Sequence, residues 1–291
     1  TPPCVPRIVA SGVARVIVLS RDPNPTVHGR GIAEIERAGV PVAGPDEKHR
    51  LLAERQNEKF SVWIRRKRPF VLVKWAATLD GKTASATGES RWITGAASRR
   101  RAMELREEYD GVLVGAATVL ADDPRLTRRL GWNRVTLHRR IVLDGRLRAP
   151  VTARVFRPAE GALLVTALPT GHRRVRAHER RGVEVWSLPG PRPGRVSLRR
   201  LLARLARSGV ASLMVEGGAE TLGEFFRAGL VDRVAVFTAP KILGGGAAPG
   251  GVGGPGLALS GARRLAEVQH EALGEDWLVT GRVAPSRRST H

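Results

Sequence analysis

Between residues 70 and 239 the chain alternates short, almost purely apolar runs with stretches of helical period, and this alternation restricts the fold more than any other feature. Residues 70–75 (FVLVKW), 111–115 (GVLVG), 140–143, 162–166 (ALLVT), 183–187, 212–216 and 233–239 each read as a strand. Runs this continuous, without a polar residue at every second place, suit strands buried on both faces. Between them, residues 97–108, 198–208 and 221–228 carry apolar side chains at helical spacing. Strands and helices in turn predict a mostly parallel sheet covered on both faces.

The segment before this region has its own pattern. Residues 4–12 read as a short helix, 14–19 (ARVIVL) as a buried strand, and 22–31, with two prolines and two glycines, as a loop. Residues 32–38 have helical period, Gly39 is a stop, and 40–42 begin another strand. One helix is expected over 49–64, before the basic cluster 65–68 and Pro69. The expected division is an α/β fragment over 1–64 and a larger α/β domain over 69–291. A partial first domain leaves strand edges and apolar surface uncovered.

Composition removes several classes of function. No apolar run approaches the roughly 18 to 20 residues of a membrane span, and residues 1–7 lack the layout of a signal peptide, so the expected compartment is the cytoplasm. The single cysteine, Cys4, excludes an intramolecular disulfide. The formal charge of +22 suggests nucleic acid at first sight. However, the arginines are spread from Arg7 to Arg288 among acidic residues, and aromatics make up only 4% of the chain, too few for a stacking surface. The expectation is no specific nucleic-acid partner, and secondary attraction for phosphorylated small molecules.

Three strings carry candidate chemistry. Residues 215–221 (VEGGAET) place two glycines where a buried strand turns into a helix, a geometry that brings backbone N–H groups to a phosphate and equally serves as a plain tight connection. Glu216 at the strand's C-terminal end favours a ligand. Residues 74–91 (KWAATLDGKTASATGESR) leave the first strand through a long polar stretch that suits either a substrate loop or a surface hairpin, and Trp92 after it fits a core anchor or a wall against a flat ring. Residues 115–129 (GAATVLADDPRLTRR) combine small residues, Asp122 and Asp123, and several arginines. The two acids fit a cap and turn at least as well as a ligand site. Arg125, Arg128 and Arg129, with Arg106, would make a cluster suited to a phosphate ester.

These strings, together with KWAATLDGKTASATGESRWIT, GVLVGAATVLADDPRLT and LMVEGGAETLGEFFRAGLVDRVAVFTAPKILGG in this order, resemble the reductase domain of the bacterial riboflavin-biosynthesis deaminase/reductases. The resemblance covers residues 69–283. It implies a dihydrofolate-reductase-like fold, in agreement with the lack of a G-x-G-x-x-G after a first strand. It implies NADPH as hydride donor and reduction of the ribosyl group of 5-amino-6-(5-phosphoribosylamino)uracil. By the same similarity Ala76, Trp92, Thr118, Asp122 and the run Gly218, Ala219, Glu220, Thr221, Leu222, Gly223 and Glu224 bind NADPH. Ser90, Arg106, Leu126, Arg129 and Glu216 bind substrate, and Lys74 positions or protonates the sugar oxygen. One departure stands out: Gly145 lies where the family leads one to expect a serine near the cofactor.

Residues 1–4 (TPPC), 22–25 (DPNP) and 29–31 (GRG) resemble the end of the same family's cytidine-deaminase-like domain. There the cysteine matching Cys4 is one of three zinc ligands, the others lying upstream. The expectation is a deaminase remnant lacking its catalytic half, with Cys4 a zinc ligand only in an intact parent and no deamination by this chain. The family also implies a homodimer through the reductase domain. A pterin or dihydrofolate reductase of the same fold is the alternative, disfavoured by the arginines because a folate carries no phosphate ester.

Overall fold

The apolar runs become the centre of one large sheet in a computed structural model of the protein, which describes residues 4–25, 27, 29–131 and 138–284. The chain divides into two compact units, Thr1–Phe70 and Val71–His291. Thr1, Pro2 and Pro3 of the TPPC string, Thr26 and His28 of the expected loop, and residues 285–291 lie outside the described residues.

In the first unit the helices are α1 (Val5–Ala10), α2 (Arg30–Arg37), α3 (Glu47–Gln56) and α4 (Glu58–Arg66), and β1 (Val16–Ile17) pairs in parallel with β2 (Val42–Ala43). Two expectations need correction. The helix over 49–64 is two helices, broken at Asn57, whose side-chain amide and backbone N–H both donate to the Ala53 carbonyl, at 3.1 and 3.0 Å. An asparagine that bonds the backbone locally competes with helix continuation. The strand over 14–19 shrinks to two residues and is not buried: Ile17 is 58% exposed, with Val13 and Leu19 also exposed.

The second unit contains β3 (Phe70–Thr78), α5 (Ala96–Glu107), β4 (Gly111–Gly115), α6 (Ala116–Asp122), β5 (Arg139–Leu143), β6 (Ala162–Thr166), α7 (Arg173–Glu179), β7 (Glu184–Ser187), α8 (Leu198–Arg207), β8 (Ser212–Val215), α9 (Ala219–Arg227), β9 (Arg233–Ala239), β10 (Leu265–Leu273) and β11 (Asp276–Val283). The sheet order is β10-β11-β9-β3-β8-β4-β5-β6-β7. Strands β4 to β7 pair in parallel with their neighbours, as do β8 with β4 and β3 with β9, while β11 runs antiparallel to β9 and β10.

Every residue of β4, β6 and β8 is buried, as expected of parallel strands covered on two sides. Successive side chains go to opposite faces. Val71, Val73, Leu113, Ile141, Leu163 and Val215 pack with Leu201, Leu202 and Leu205 of α8 and Phe225 of α9, whereas Val112, Val114, Val142 and Leu164 pack with Val119 of α6, Phe156 and Val175 of α7. Buried carboxylates fasten the frame. Asp232 accepts from the Val71 N–H at 2.9 Å, and Asp276 accepts from the Gly95 N–H at 2.7 Å and the Ser98 hydroxyl at 2.6 Å, capping α5 where Gly95 has no side chain to do so. Elements α6, α7, β10 and β11 lie outside the runs expected from the sequence. Strand β10 is an exposed edge whose mixed residues give no apolar run, and α6 and α7 have seven residues each, too short for a periodic signal.

Candidate active site

The site is built at the C-terminal ends of β3, β4, β5 and β8. Strand β3 is buried except at three half-buried positions, Lys74, Trp75 and Ala76, where it opens onto this edge.

The two glycines after β8 are needed for their backbone: Gly217 and Gly218 have φ of 117° and 73°, values open to glycine. Gly218 is the N-cap of α9 and no side chain caps the helix, so its first N–H groups face the edge of the sheet. Opposite, a Cβ on Gly115 would lie 2.3 Å from the Thr221 hydroxyl, and a Cβ on Gly218 would lie 3.4 Å from the Thr118 hydroxyl. The backbone of Gly115, Gly217 and Gly218 thus lies beside the Thr118 and Thr221 hydroxyls. The glycine-rich segment after β9 packs along its flank. The Gly253 N–H donates to the Ala219 carbonyl at 2.8 Å, and a Cβ on Gly223 would lie 2.0 Å from the Gly253 carbonyl. Asp80 ties the loop after β3 to the same segment, accepting from the Thr78 hydroxyl at 2.5 Å and the Gly244 N–H at 2.7 Å, contacts that hold its carboxyl down at about 2.

Beside this surface Arg106 of α5 and Glu216 form a two-bond pair, Nε to Oε1 at 2.8 Å and Nη2 to Oε2 at 2.9 Å. Burial opposes ionisation of Glu216, but Arg106 and then Lys74 outweigh it and hold the carboxyl below its ordinary range. Burial pushes the Lys74 ammonium below its usual value; Glu216 supports its charge and Arg106 opposes it. The Lys74 Nζ lies 5.3 Å from the centre of the Phe237 ring. A buried amine with a lowered pKa beside a carboxylate is an arrangement that suits proton transfer.

The segment after α6 is pinned to α5. Arg106 Nη1 donates to the Thr127 carbonyl at 3.3 Å, Glu107 accepts from the Arg129 and Leu130 N–H groups at 2.9 and 3.0 Å, and Arg128 donates to the Tyr109 carbonyl at 2.6 Å. The four-arginine cluster expected from sequence is therefore divided: Arg106 is held by Glu216 and Arg128 by Tyr109, while Arg125 and Arg129 have exposed side chains. The Leu126 side chain is buried in the core, its backbone is left-handed with φ of 53°, and its carbonyl meets His138 Nε2 at 3.2 Å. Leu222 likewise points into the core.

The remaining positions fall around the same edge. Trp92 is 66% exposed, which removes the core-anchor reading; Arg99 stacks on its ring at 4.6 Å and Lys241 donates to its carbonyl at 2.9 Å. Ser90 and Ala76 are half-buried. Asp122 ends α6, where its carbonyl accepts from Arg91 at 2.9 Å. Glu220 is exposed, and Glu224 Oε1 lies 2.9 Å from Arg195 Nη1. Gly145 has a steric cause: a Cβ there would lie 2.0 Å from the Gly194 carbonyl, so no side chain fits. Sequence reasoning missed His138, Glu107 and the loop carrying Arg192 and Arg195; an isolated histidine or arginine in an arginine-rich chain gives no local signal.

Residues 69–279 match the RibD C-terminal domain family. The chain belongs to this family. It is 39% identical to the riboflavin biosynthesis protein RibD of Aquifex aeolicus over 96% of this chain and 75% of that protein. Among solved structures it is similar to the deaminase/5-amino-6-(5-phosphoribosylamino)uracil reductase of Thermotoga maritima, with a TM-score of 0.82 at 32% identity over 98% of this chain and 75% of that one. RibD of Acinetobacter baumannii has a TM-score of 0.82 at 27% identity over 98% of this chain and 77% of that one. The chain thus spans about three quarters of the length of these RibD proteins. The mixed α/β sheet of the second unit is the dihydrofolate-reductase-like fold of RibD reductases, and the chain is an oxidoreductase of that family.

Proposed function

We propose that this chain reduces the ribosyl group of 5-amino-6-(5-phosphoribosylamino)uracil to the ribityl chain with NADPH. The observation that carries the reading is the Arg106–Glu216–Lys74 group beside the glycine-built surface of Gly115, Gly217 and Gly218. A turn whose Gly217 and Gly218 take positive φ and whose following helix start is uncapped fits a dinucleotide pyrophosphate. Ala76, Trp92, Thr118, Asp122 and residues 218–224 hold NADPH, Leu222 through its backbone. When bound, the cofactor supplies a hydride.

The chain's own residues hold the substrate and handle the proton. Reduction adds hydride at the sugar C1 while the bond from C1 to the ring oxygen breaks, and the ring oxygen takes up a proton. Lys74 delivers that proton, and Glu216 keeps enough charge on Lys74 for it to do so. Ser90 and the Leu126 backbone line the pyrimidine and sugar, Glu216 and Arg106 fix one wall, and Arg129 meets the phosphate. Exclusion of water is the task of the loop after β3, fastened through Asp80.

Deamination is outside this proposal. Cys4 is exposed, among the described residues no three His, Cys, Asp or Glu side chains gather to hold a metal, and one thiol does not make a zinc site. No described helix is long and apolar enough to cross a membrane, and cytoplasmic residence is part of the proposal. So is a homodimer through the second unit, supported by the exposed edge β10 with Leu265 and Val268, and by Trp277 of β11. The deciding assay is NADPH oxidation with the phosphorylated pyrimidine. Turnover supports the reading, and no turnover by folded protein removes it.

A further inference from the structure

Gly145 lies two residues beyond Leu143, which pairs with Gly115 across β5 and β4. The order β3-β8-β4-β5 sets a direction along the edge of the sheet. Were a nicotinamide to sit beside Lys74 on β3 with its pyrophosphate at Gly115 and Gly218, the adenosine end would run on over β5, about 14 Å from β3 at three strand spacings. There the expected hydroxyl of a serine is replaced by the carbonyl of Gly194, which belongs to a tight hairpin closed by the Gly190 N–H to Arg195 carbonyl bond at 2.7 Å and a bridge from Pro189 to Val196.

The hairpin brings guanidinium groups with it. Arg195 Nη1 lies 2.9 Å from Glu224 Oε1 and 3.3 Å from Glu220 Oε2, and Arg192 Nη2 lies 4.0 Å from Glu224 Oε1. Arg146, next to Gly145, packs against Gly194, where a Cβ would meet its Nε at 2.9 Å. The side chains of Arg192 and Arg195 are 68% and 44% exposed. Arg192, Arg195 and Arg227 thus face Glu220 and Glu224, Arg146 lies beside the hairpin, and the charge of Arg192 and Arg195 is open to solvent.

We infer that Arg192 and Arg195, carried on the hairpin that fills the space above Gly145, bind the ribose 2′-phosphate of NADPH and select it over NADH. The inference rests on the proposed cofactor site. A phosphate monoester dianion meets the exposed charge, and planar guanidiniums bind its oxygens in pairs. Glu220 and Glu224 orient the arginines, and the neutral 2′-hydroxyl of NADH offers the guanidiniums no dianion to bind.

The test is binding, without turnover. Wild type and the Arg192→Ala/Arg195→Ala variant are titrated with NADPH and NADH by nicotinamide fluorescence, and with 2′,5′-ADP and 5′-ADP by calorimetry. Loss of two charge-assisted contacts weakens NADPH and 2′,5′-ADP about tenfold or more, with NADH held within about twofold. Arg192→Lys/Arg195→Lys retains part of the preference. An unchanged NADPH-to-NADH ratio in the alanine variant overturns the inference and leaves the cofactor site standing. Equal weakening of both dinucleotides also overturns it, because the arginines then support the hairpin alone. A wild type that binds neither dinucleotide overturns the cofactor site and the inference together.

Discussion

Arg106 and Glu216 face each other through two hydrogen bonds of 2.8 and 2.9 Å, with both side chains largely buried and the Lys74 amine as the next charge. A pair of this kind is costly to break from one side, because the survivor is left buried and uncompensated. Glu216→Gln is expected to lose about 3 kcal/mol of stability in urea denaturation. Arg106→Gln/Glu216→Gln should lose less than the sum of the single changes. Lys74 would lose the only carboxylate that supports its charge in this group, so the alkaline limb of the kcat profile moves to lower pH in Glu216→Gln. An unmoved limb would mean that Lys74 does not supply the proton.

Gly145→Ser tests the steric account of the family departure. The new Cβ would need the space held by the Gly194 carbonyl, 2.0 Å away, and backbone cannot yield as a flexible side chain does. An overpacking cost of about 1–3 kcal/mol is expected, read as a lower Tm. A variant as stable as wild type would show that the hairpin is not closed on Gly145.

His138 gives a pH signature in stability. Burial first, then the nearby Arg128, lowers its imidazole to about 4, against an ordinary value near 6.5. Its folded pKa is depressed, so the unfolded chain binds the proton more tightly. Stability is therefore full above about pH 6.5 and falls as the pH drops toward 4, by about 3 kcal/mol at most. His138→Gln, whose amide can keep a donor for the Leu126 carbonyl at the place of Nε2, should flatten this part of the curve. Parallel curves for the two proteins would remove His138 as the source.

Arg129 is separable from Arg128 in kinetics. Arg129 is exposed and tied to Glu107 only through its backbone N–H, whereas the Arg128 guanidinium bonds Tyr109. Arg129→Ala should raise KM for the phosphorylated substrate about tenfold at unchanged stability, and Arg128→Ala should lower Tm. If Arg129→Ala leaves KM unmoved, the phosphate is held elsewhere.

What the sequence made legible follows from which signals are local. The runs at 111–115, 162–166 and 233–239 became strands with the same bounds because a largely apolar stretch between turns has one good use in such a sheet. The glycine turn after β8 was legible for a similar reason, since two adjacent glycines at a strand end mark an unusual backbone. The partition of the arginines was not, because whether Arg106 meets a phosphate or Glu216 depends on residues 110 positions apart. The cause of Gly145 also lay outside its local sequence, in Gly194. Strand β10 was not legible because an edge strand in water carries no apolar run.

The central claim is hydride transfer from NADPH to the sugar of a phosphorylated pyrimidine. Mass spectrometry of the product formed with NADPH deuterated at the transferring C4 position tests it most directly. The account predicts a ribitylamino product carrying one deuterium at C1 per turnover. Product without deuterium at C1, or oxidation of NADPH with no change in the sugar, would contradict it.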